Sequence, residues 1–116
     1  MTENESFKIK VENKEKYYLV KFIGLAELDL YSVKNLEEVF QDYNQQQTQS
    51  WVLDLTYINF IDSSGIGAVL HQSKFLRDNK KTLYMLKPNS NIMHIFSLGS
   101  FNTLLSIIDD LSQVSE

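Results

Sequence analysis

The segment FIDSSGIGAVL, residues 60–70, holds the side chains of this chain that are best suited to chemistry. Asp62 is followed by Ser63, Ser64 and Gly65, and a second glycine lies two residues further on. A serine beside a carboxylate could be a nucleophile, a phosphate acceptor or the cap of a helix. The two glycines could cradle a phosphate, or they could only allow a helix to approach a sheet closely.

The spacing of these residues argues against two kinds of catalytic site. The nucleophile elbow of serine hydrolases requires Gly-x-Ser-x-Gly, but Ile61 and Asp62 stand two residues before the two serines. His71 could approach Ser64 along the same helix, yet no acid is evident to orient it. A P-loop is excluded because Gly-Lys-Ser/Thr occurs nowhere in the chain. We therefore predict that the chain is not an enzyme and binds no cofactor.

Composition narrows the classes of partner and site. The 116 residues carry a formal net charge of −4, which does not fit the basic surface of a nucleic-acid-binding protein. The chain has no cysteine, and His71 and His94 are not spaced as metal ligands, so we expect no metal site. No apolar run approaches the roughly 20 residues of a membrane span, and the start MTENES does not resemble a signal peptide. We expect one soluble, cytoplasmic domain over residues 1–116.

Strands open the chain and a helix follows them. The alternating segments FKIKVE and YYLVKF predict two strands joined by the turn NKEK. Apolar residues then recur at intervals of three and four between residues 33 and 43, which predicts an amphipathic helix. Asp29 or Ser32 could cap its start.

The rest of the chain alternates strands with helices. Apolar runs at residues 51–55, 82–86 and 104–108 predict buried strands. Helices are predicted from Gly65 to about Asn79 and from the capping residues at Asn89 to Gly99, with a short closing helix within 109–116. The order β-β-α-β-α-β-α-β-α predicts an α/β fold, a mixed sheet with an opening hairpin and later parallel strands, packed by α-helices.

In this arrangement the segment IDSSG joins a strand to the helix that follows it. Functional residues of α/β sheets collect in loops that leave the carboxyl ends of strands. The first turn of a helix also exposes unpaired N–H groups and the positive end of the helix dipole, which would stabilise a phosphate on a hydroxyl there. The alternative is that Asp62, Ser63 or Ser64 only caps the helix.

Helical periodicity extends the candidate site beyond the motif. At about 100° per residue, Ala68, His71 and Phe75 fall on nearly the same face as Ser64, away from the core stripe. We predict that this face continues a partner-binding surface that begins at Ser64. The alternative is that Phe75 is a single exposed aromatic residue, which is ordinary in proteins.

The segment WVLDLTYINFIDSSGIGAVL closely resembles the hallmark of the STAS domain, a family that includes sulfate transporters and bacterial anti-sigma factor antagonists. GLAELDLYSVKNLEEVF, through Gly24, Glu27 and Asp29, looks like the family's segment before its first helix. FSLGSFNTLLSIIDDLSQV is similar to the family's closing segment. The resemblance covers nearly the whole chain and implies a STAS-like fold.

The resemblance also implies a function, that of an anti-sigma factor antagonist (anti-anti-sigma factor). In such proteins an anti-sigma factor with serine kinase activity phosphorylates one serine of the motif. The unphosphorylated form binds the anti-sigma factor and releases the sigma factor, and a serine phosphatase restores this form. By resemblance Ser64 is the expected phosphorylation site, with Ser63 as the second choice, while ATP and Mg²⁺ belong to the kinase.

Periodicity and resemblance together predict a partner-binding surface at one end of the molecule. It comprises Asp29, Asp62, Ser63, Ser64, Gly65, Ala68, His71 and Phe75. The partners expected are the anti-sigma factor and the phosphatase, with neither nucleic acid nor membrane. The alternative function is a STAS scaffold or sensor module that joins a signalling assembly without being phosphorylated.

Overall fold

A five-stranded mixed sheet with three helices organises the molecule, whose computed structural model describes residues 7–99 and 105–115. The elements of the sheet are β1 (Lys8–Asn13), β2 (Tyr17–Ile23), β4 (Ser50–Asp54), β6 (Leu83–Leu86) and β7 (Ser106–Ile108). The helices are α1 (Val33–Gln46), α2 (Ser63–Asp78) and α3 (Ser90–Leu98). A separate parallel pair consists of β3 (Glu27–Leu28) and β5 (Phe60–Ile61), and a 3₁₀ helix (Leu111–Gln113) follows β7.

The order of the strands across the sheet is β1-β2-β4-β6-β7. β1 is antiparallel to β2, whereas every later pair is parallel. This confirms the predicted α/β fold with an opening hairpin and later parallel strands. Because parallel crossovers are right-handed and successive parallel strands here are neighbours, the three helices lie on one face of the sheet.

The opening hairpin carries its charges on the face without helices. Lys10, Lys14 and Lys21 contact the Glu12 carboxylate at N–O distances of 3.5, 3.2 and 3.3 Å. Hydrogen bonds from Lys14 and Lys21 hold the pKa of the Glu12 carboxyl below its ordinary value. The opposite face of β1 presents Ile9 to the core, as the alternation predicted.

The main core lies between the sheet and the helices. Trp51, fully buried in β4, has ring contacts with Tyr18, Phe40 and Tyr43 at centroid distances of 4.9, 5.1 and 6.0 Å. A smaller apolar cluster on the other face is covered by the segment that contains the 3₁₀ helix. Within the described residues, no helix combines the length and the apolar character needed to cross a membrane.

The helix boundaries depart from the prediction in ways that matter for the site. α2 begins at Ser63 rather than Gly65, because Asp62 occupies the N-cap position. The position before α1 is Ser32, whose side chain forms no cap hydrogen bond, so this one of the two predicted caps is wrong. The other, Asp29, caps the turn that leads into α1: its Oδ1 accepts from the Tyr31 and Ser32 N–H groups, and its carbonyl accepts from the Val33 N–H at 2.9 Å. α3 ends at Leu98, with Gly99 as its C-cap residue, as predicted. The two short strands β3 and β5 were not predicted, and residue 104 of the last predicted strand lies outside the described residues.

Candidate functional site

The β3–β5 pair brings two distant segments together where the central parallel strands end, which we call the carboxyl edge of the sheet. Leu28 pairs with Ile61, and the Asp62 N–H donates to the Leu28 carbonyl at 3.0 Å. The loop between β3 and α1 (residues 29–32, the β3–α1 loop) therefore lies beside the first turn of α2. This pairing creates the site, because it places the β3–α1 loop next to the serine motif, although the two are more than 30 positions apart in sequence.

Asp62 caps α2, which decides between the three candidates Asp62, Ser63 and Ser64. Its Oδ1 accepts from the Gly65 N–H at 3.0 Å, which satisfies an otherwise unpaired donor of the first turn of α2. Its Oδ2 accepts from the Leu30 N–H at 3.1 Å. One carboxylate thus holds both the helix start and the β3–α1 loop.

The two serines of the motif follow this cap in the first turn of α2. Ser63 is exposed and Ser64 is half-buried. Both line a groove whose other side is formed by Leu30 and Tyr31 of the β3–α1 loop, with Lys34 on α1. The Ser64 side chain therefore borders an open groove instead of being enclosed.

Gly65 lies beneath the serines and is buried. A Cβ at this position would stand 2.6 Å from Ile61 Cγ1 and 2.6 Å from the Leu28 carbonyl oxygen. Gly65 therefore permits close packing of α2 on the short strands, and the predicted contact of Gly65 with a partner stays a prediction. A Cβ at Gly67 would meet nothing within 4 Å, so the proposed packing role is wrong for that glycine.

The predicted face through Ser64 turns toward α1. Ala68, His71 and Phe75 line a groove between α1 and α2, and Ala68 also lines the separate groove that Ser64 borders. The expectation that Ala68 lies on the outer surface is wrong, since α1 packs over it and leaves it 4% exposed. His71 is exposed, whereas Phe75 is half-buried against the core.

Asp29 shapes the β3–α1 loop. Its Oδ1 accepts from the N–H groups of Tyr31 and Ser32 at 3.0 and 3.1 Å. Ser32 Oγ in turn donates to the Glu27 carbonyl at 2.9 Å. The carboxylate that the sequence suggested as a partner contact is thus occupied with the backbone of the loop.

His71 is not positioned to act as a general base for Ser64. His71 is seven residues further along the same uninterrupted helix, a rise of about 10 Å, which is too far for proton transfer. Among the described side chains, no group of three or more His, Cys, Asp and Glu residues is arranged to hold a metal ion.

Exposed apolar side chains surround the site, and the sequence analysis missed them. Leu30 is 60% exposed and Tyr31 is 84% exposed, both in the β3–α1 loop. Tyr57 and Phe60, in and after the loop that leaves β4, are also exposed. One signal in the sequence could have revealed them. Leu30 and Tyr31 are an apolar pair shortly before α1, and they do not belong to the apolar stripe by which that helix packs on the core.

Comparisons with known proteins agree with this fold and this motif. A model of the STAS domain family matches residues 8–114. The chain is 32% identical over 99 residues to an anti-sigma-B factor antagonist of Staphylococcus aureus, covering 85% of this chain and 90% of that protein. The fold is similar to that of the anti-sigma factor antagonist SpoIIAA in its unphosphorylated form, with a TM-score of 0.76, 17% identity and coverage of 90% and 91% of the two chains. For the phosphorylated form of the Bacillus protein SpoIIAA the TM-score is 0.68, with 16% identity and coverage of 90% and 95%.

Proposed function

The chain belongs to the STAS domain family, and from this premise we propose that it is an anti-sigma factor antagonist that acts by binding a protein and not by catalysis. The observation that carries the proposal is the STAS motif at the start of α2, where a reachable serine stands beside a groove. The relative that shares 32% of its residues is named an anti-sigma-B factor antagonist, which supports the same function here.

Ser64 is the switch in this proposal, and Ser63 is its alternate. The unmodified hydroxyl is small and neutral, so a partner surface packs directly against it. An anti-sigma factor with serine kinase activity transfers phosphate to Ser64 from its own ATP, and a serine phosphatase removes it. SpoIIAA, which shares the fold, exists in phosphorylated and unphosphorylated forms.

The phosphate changes the surface through charge and volume. It adds a charge of about −1.5 to −2 at neutral pH. The Asp62 carboxylate caps the same helix turn, so a partner that accepts the neutral site meets two adjacent anions after phosphorylation. The positive end of the helix dipole offsets part of this repulsion, which lets the phosphorylated chain keep its fold.

The predicted surface residues divide into two groups in this proposal. Ser63, Ser64, His71 and Phe75 contact the partner, because each is exposed or half-buried along one of two grooves that share Ala68. Asp29, Asp62, Gly65 and Ala68 support that surface from beneath. The single-domain organisation and the cytoplasmic location expected from the sequence belong to the same proposal.

The test starts with the protein isolated from its host together with bound partners. The purified partner is incubated with the chain, ATP and Mg²⁺, and the peptide containing residues 60–70 is mapped by mass spectrometry. We expect one phosphate on Ser64 in the wild type, none in Ser64→Ala, and unchanged modification in the matched variant Ser97→Ala. Ser97 is an exposed serine on α3.

Affinity for the same partner completes the test. In the absence of ATP, Ser64→Ala should bind the kinase with the affinity of the wild type, whereas Ser64→Asp should bind it at least ten times more weakly. A partner kinase that binds the chain but places phosphate on neither serine would contradict the switch. Large assemblies that form without any phosphate would favour the scaffold or sensor module instead.

A further inference from the structure

We propose that Leu30 and Tyr31 of the β3–α1 loop are the apolar anchor for the protein partner, and that the Asp62 carboxylate couples this anchor to the state of Ser64. The proposal rests on the proposed function, since it identifies the contact residues and the regulation of that same site. It adds an interaction surface on a different element from the serine motif.

The exposure of these side chains is the first observation. Six large apolar side chains are exposed in residues 7–99 and 105–115, and five of them lie at the carboxyl edge of the sheet: Ile23, Leu30, Tyr31, Tyr57 and Phe60. Leu98, at the far end of α3, is the exception. A concentration of exposed apolar side chains at one edge marks an interaction surface, whereas scattered ones do not. Leu30 and Tyr31 are the members that share a groove with both serines.

The anchor is held in place before any partner arrives. Asp29 Oδ1 binds the Tyr31 N–H, and Asp62 Oδ2 binds the Leu30 N–H, so both anchor residues have a fixed backbone. Ser32, which is 2% exposed, ties the end of the loop to the Glu27 carbonyl. A preorganised loop loses little conformational entropy on binding, which favours affinity from a few exposed side chains.

Charge around the anchor defines the chemistry of the partner surface. Four carboxylates, those of Glu27, Asp29, Glu37 and Asp62, lie on or beside the β3–α1 loop, against one cation, Lys34. A complementary surface therefore has an apolar pocket for Leu30 and Tyr31 with Lys or Arg side chains around it. The positive charges around this pocket of the partner would attract the carboxylates of the unmodified chain.

Asp62 provides the connection between the serine and the anchor. A phosphate on Ser64 lies two residues from this carboxylate and competes with it for the N–H groups of the first turn of α2. Repulsion between the two anions displaces the carboxylate, and the Leu30 N–H loses its acceptor. The β3–α1 loop is then free to move, so the phosphate weakens the anchor as well as blocking the groove.

The anchor is tested with matched serine substitutions. Leu30→Ser and Tyr31→Ser should each weaken binding of the purified partner kinase by about 30-fold, the size expected for a central contact residue. Leu98→Ser removes an apolar side chain of similar exposure from the opposite end of the molecule, and it should change the affinity by less than twofold. Because these side chains are exposed, all three variants should unfold at the wild-type denaturant concentration.

The coupling is tested without a partner, on the full chain carrying phosphoserine at position 64. We expect hydrogen exchange of the Leu30 amide to accelerate at least tenfold on phosphorylation. Exchange of the Thr56 amide, which is bound by Asp54 Oδ1 at 3.1 Å, should stay unchanged. Asp62→Asn has one acceptor oxygen for two N–H groups, so it should speed Leu30 exchange in the unphosphorylated chain, and Asp54→Asn should not.

The outcomes separate this inference from the function beneath it. If the kinase binds and phosphorylates the wild type while Leu30→Ser and Tyr31→Ser bind equally well, the anchor is wrong and the switch stands. If Leu30 exchange does not respond to phosphoserine, the coupling through Asp62 is wrong. If no kinase binds the wild type, the proposed function fails and the anchor for that partner fails with it.

Discussion

Gly65 is a residue at which α2 packs closely on the β3–β5 pair. The two nearest atoms to a Cβ at this position belong to Ile61 and to the Leu28 backbone, both 2.6 Å away. The backbone oxygen cannot yield as a flexible side chain would. Since Asp62 and the serines lie within the same turn, a shift of α2 at Gly65 would move the whole site.

Gly65→Ala should lower the free energy of unfolding by about 1–3 kcal/mol, because the added methyl overpacks the contact. Gly67→Ala is the matched control in the same helix, and it should raise that free energy by up to about 1 kcal/mol through helix propensity. Urea unfolding followed by the fluorescence of Trp51, the only tryptophan of the chain, measures both. Equal effects of the two substitutions would contradict the close approach at Gly65.

α1 and α2 are connected at the level of elements by a pair of side-chain amides. Asn44 Nδ2 donates to Gln72 Oε1 at 3.0 Å, and Gln72 Nε2 donates back to Asn44 Oδ1 at 3.2 Å. Gln72 is 3% exposed, so it depends on this partner. With Ala68 and Phe75, the pair lines the groove between α1 and α2.

Asn44→Ala should lower the free energy of unfolding by about 1–3 kcal/mol, because it leaves the buried amide of Gln72 without its partner. The double variant Asn44→Leu/Gln72→Met replaces both amides with apolar side chains of similar size, and it should recover most of that loss. Urea unfolding of the single and double variants gives the comparison. A double variant that is less stable than Asn44→Ala would show that the amide pair is not the reason for the loss.

The whole molecule has two unequal apolar layers, one on each face of the sheet. The helix-free layer consists of Leu19, Val52, Tyr84, Leu86 and Ile108, and it is covered by Leu111 and Val114. The Tyr84 hydroxyl bonds Ser115 through both the hydroxyl at 3.2 Å and the N–H at 3.3 Å. We call residues 110–115 the C-terminal strap, because this short segment covers the sheet face that lies opposite the three α-helices.

Deletion of residues 110–116 should expose that layer and make the protein self-associate. Loss of the half-buried Leu111 and Val114 should also lower the free energy of unfolding by about 2–4 kcal/mol. Analytical ultracentrifugation over a range of protein concentrations, together with urea unfolding, measures both effects. Ser115→Ala is the control: it removes the side-chain bond to Tyr84, keeps the apolar cover, and should stay monomeric wherever the wild type is monomeric. A deletion variant that neither associates nor loses stability would contradict the role of the strap.

Much of the fold was predictable because its signals are local. The alternation in β1 and β2, the helical stripe of α1 and the apolar runs of β4 and β6 each follow from burial of one or both faces. The elements β3 and β5 have only two residues each, too few for any periodicity, and they form because Leu28 and Ile61 pair across a long stretch of sequence. The serine motif was found from its residue types and its place before a helix, and the resemblance added its expected role, while Leu30 and Tyr31 gave only a weak pattern.

The sequence alone therefore determined the order of the main-sheet strands and of the three α-helices, the resemblance to the family and the placement of the Asp-Ser-Ser-Gly motif at the start of a helix. Only the tertiary structure decided which side chain caps that helix, that Ala68 is covered by α1, and that the β3–α1 loop lies beside the serines. The physical reason is the range of the interactions. Periodicity and capping preference act over a few residues, whereas the Asp62–Leu30 hydrogen bond and the exposure of Tyr31 exist only once the β3–β5 pair has joined two distant segments.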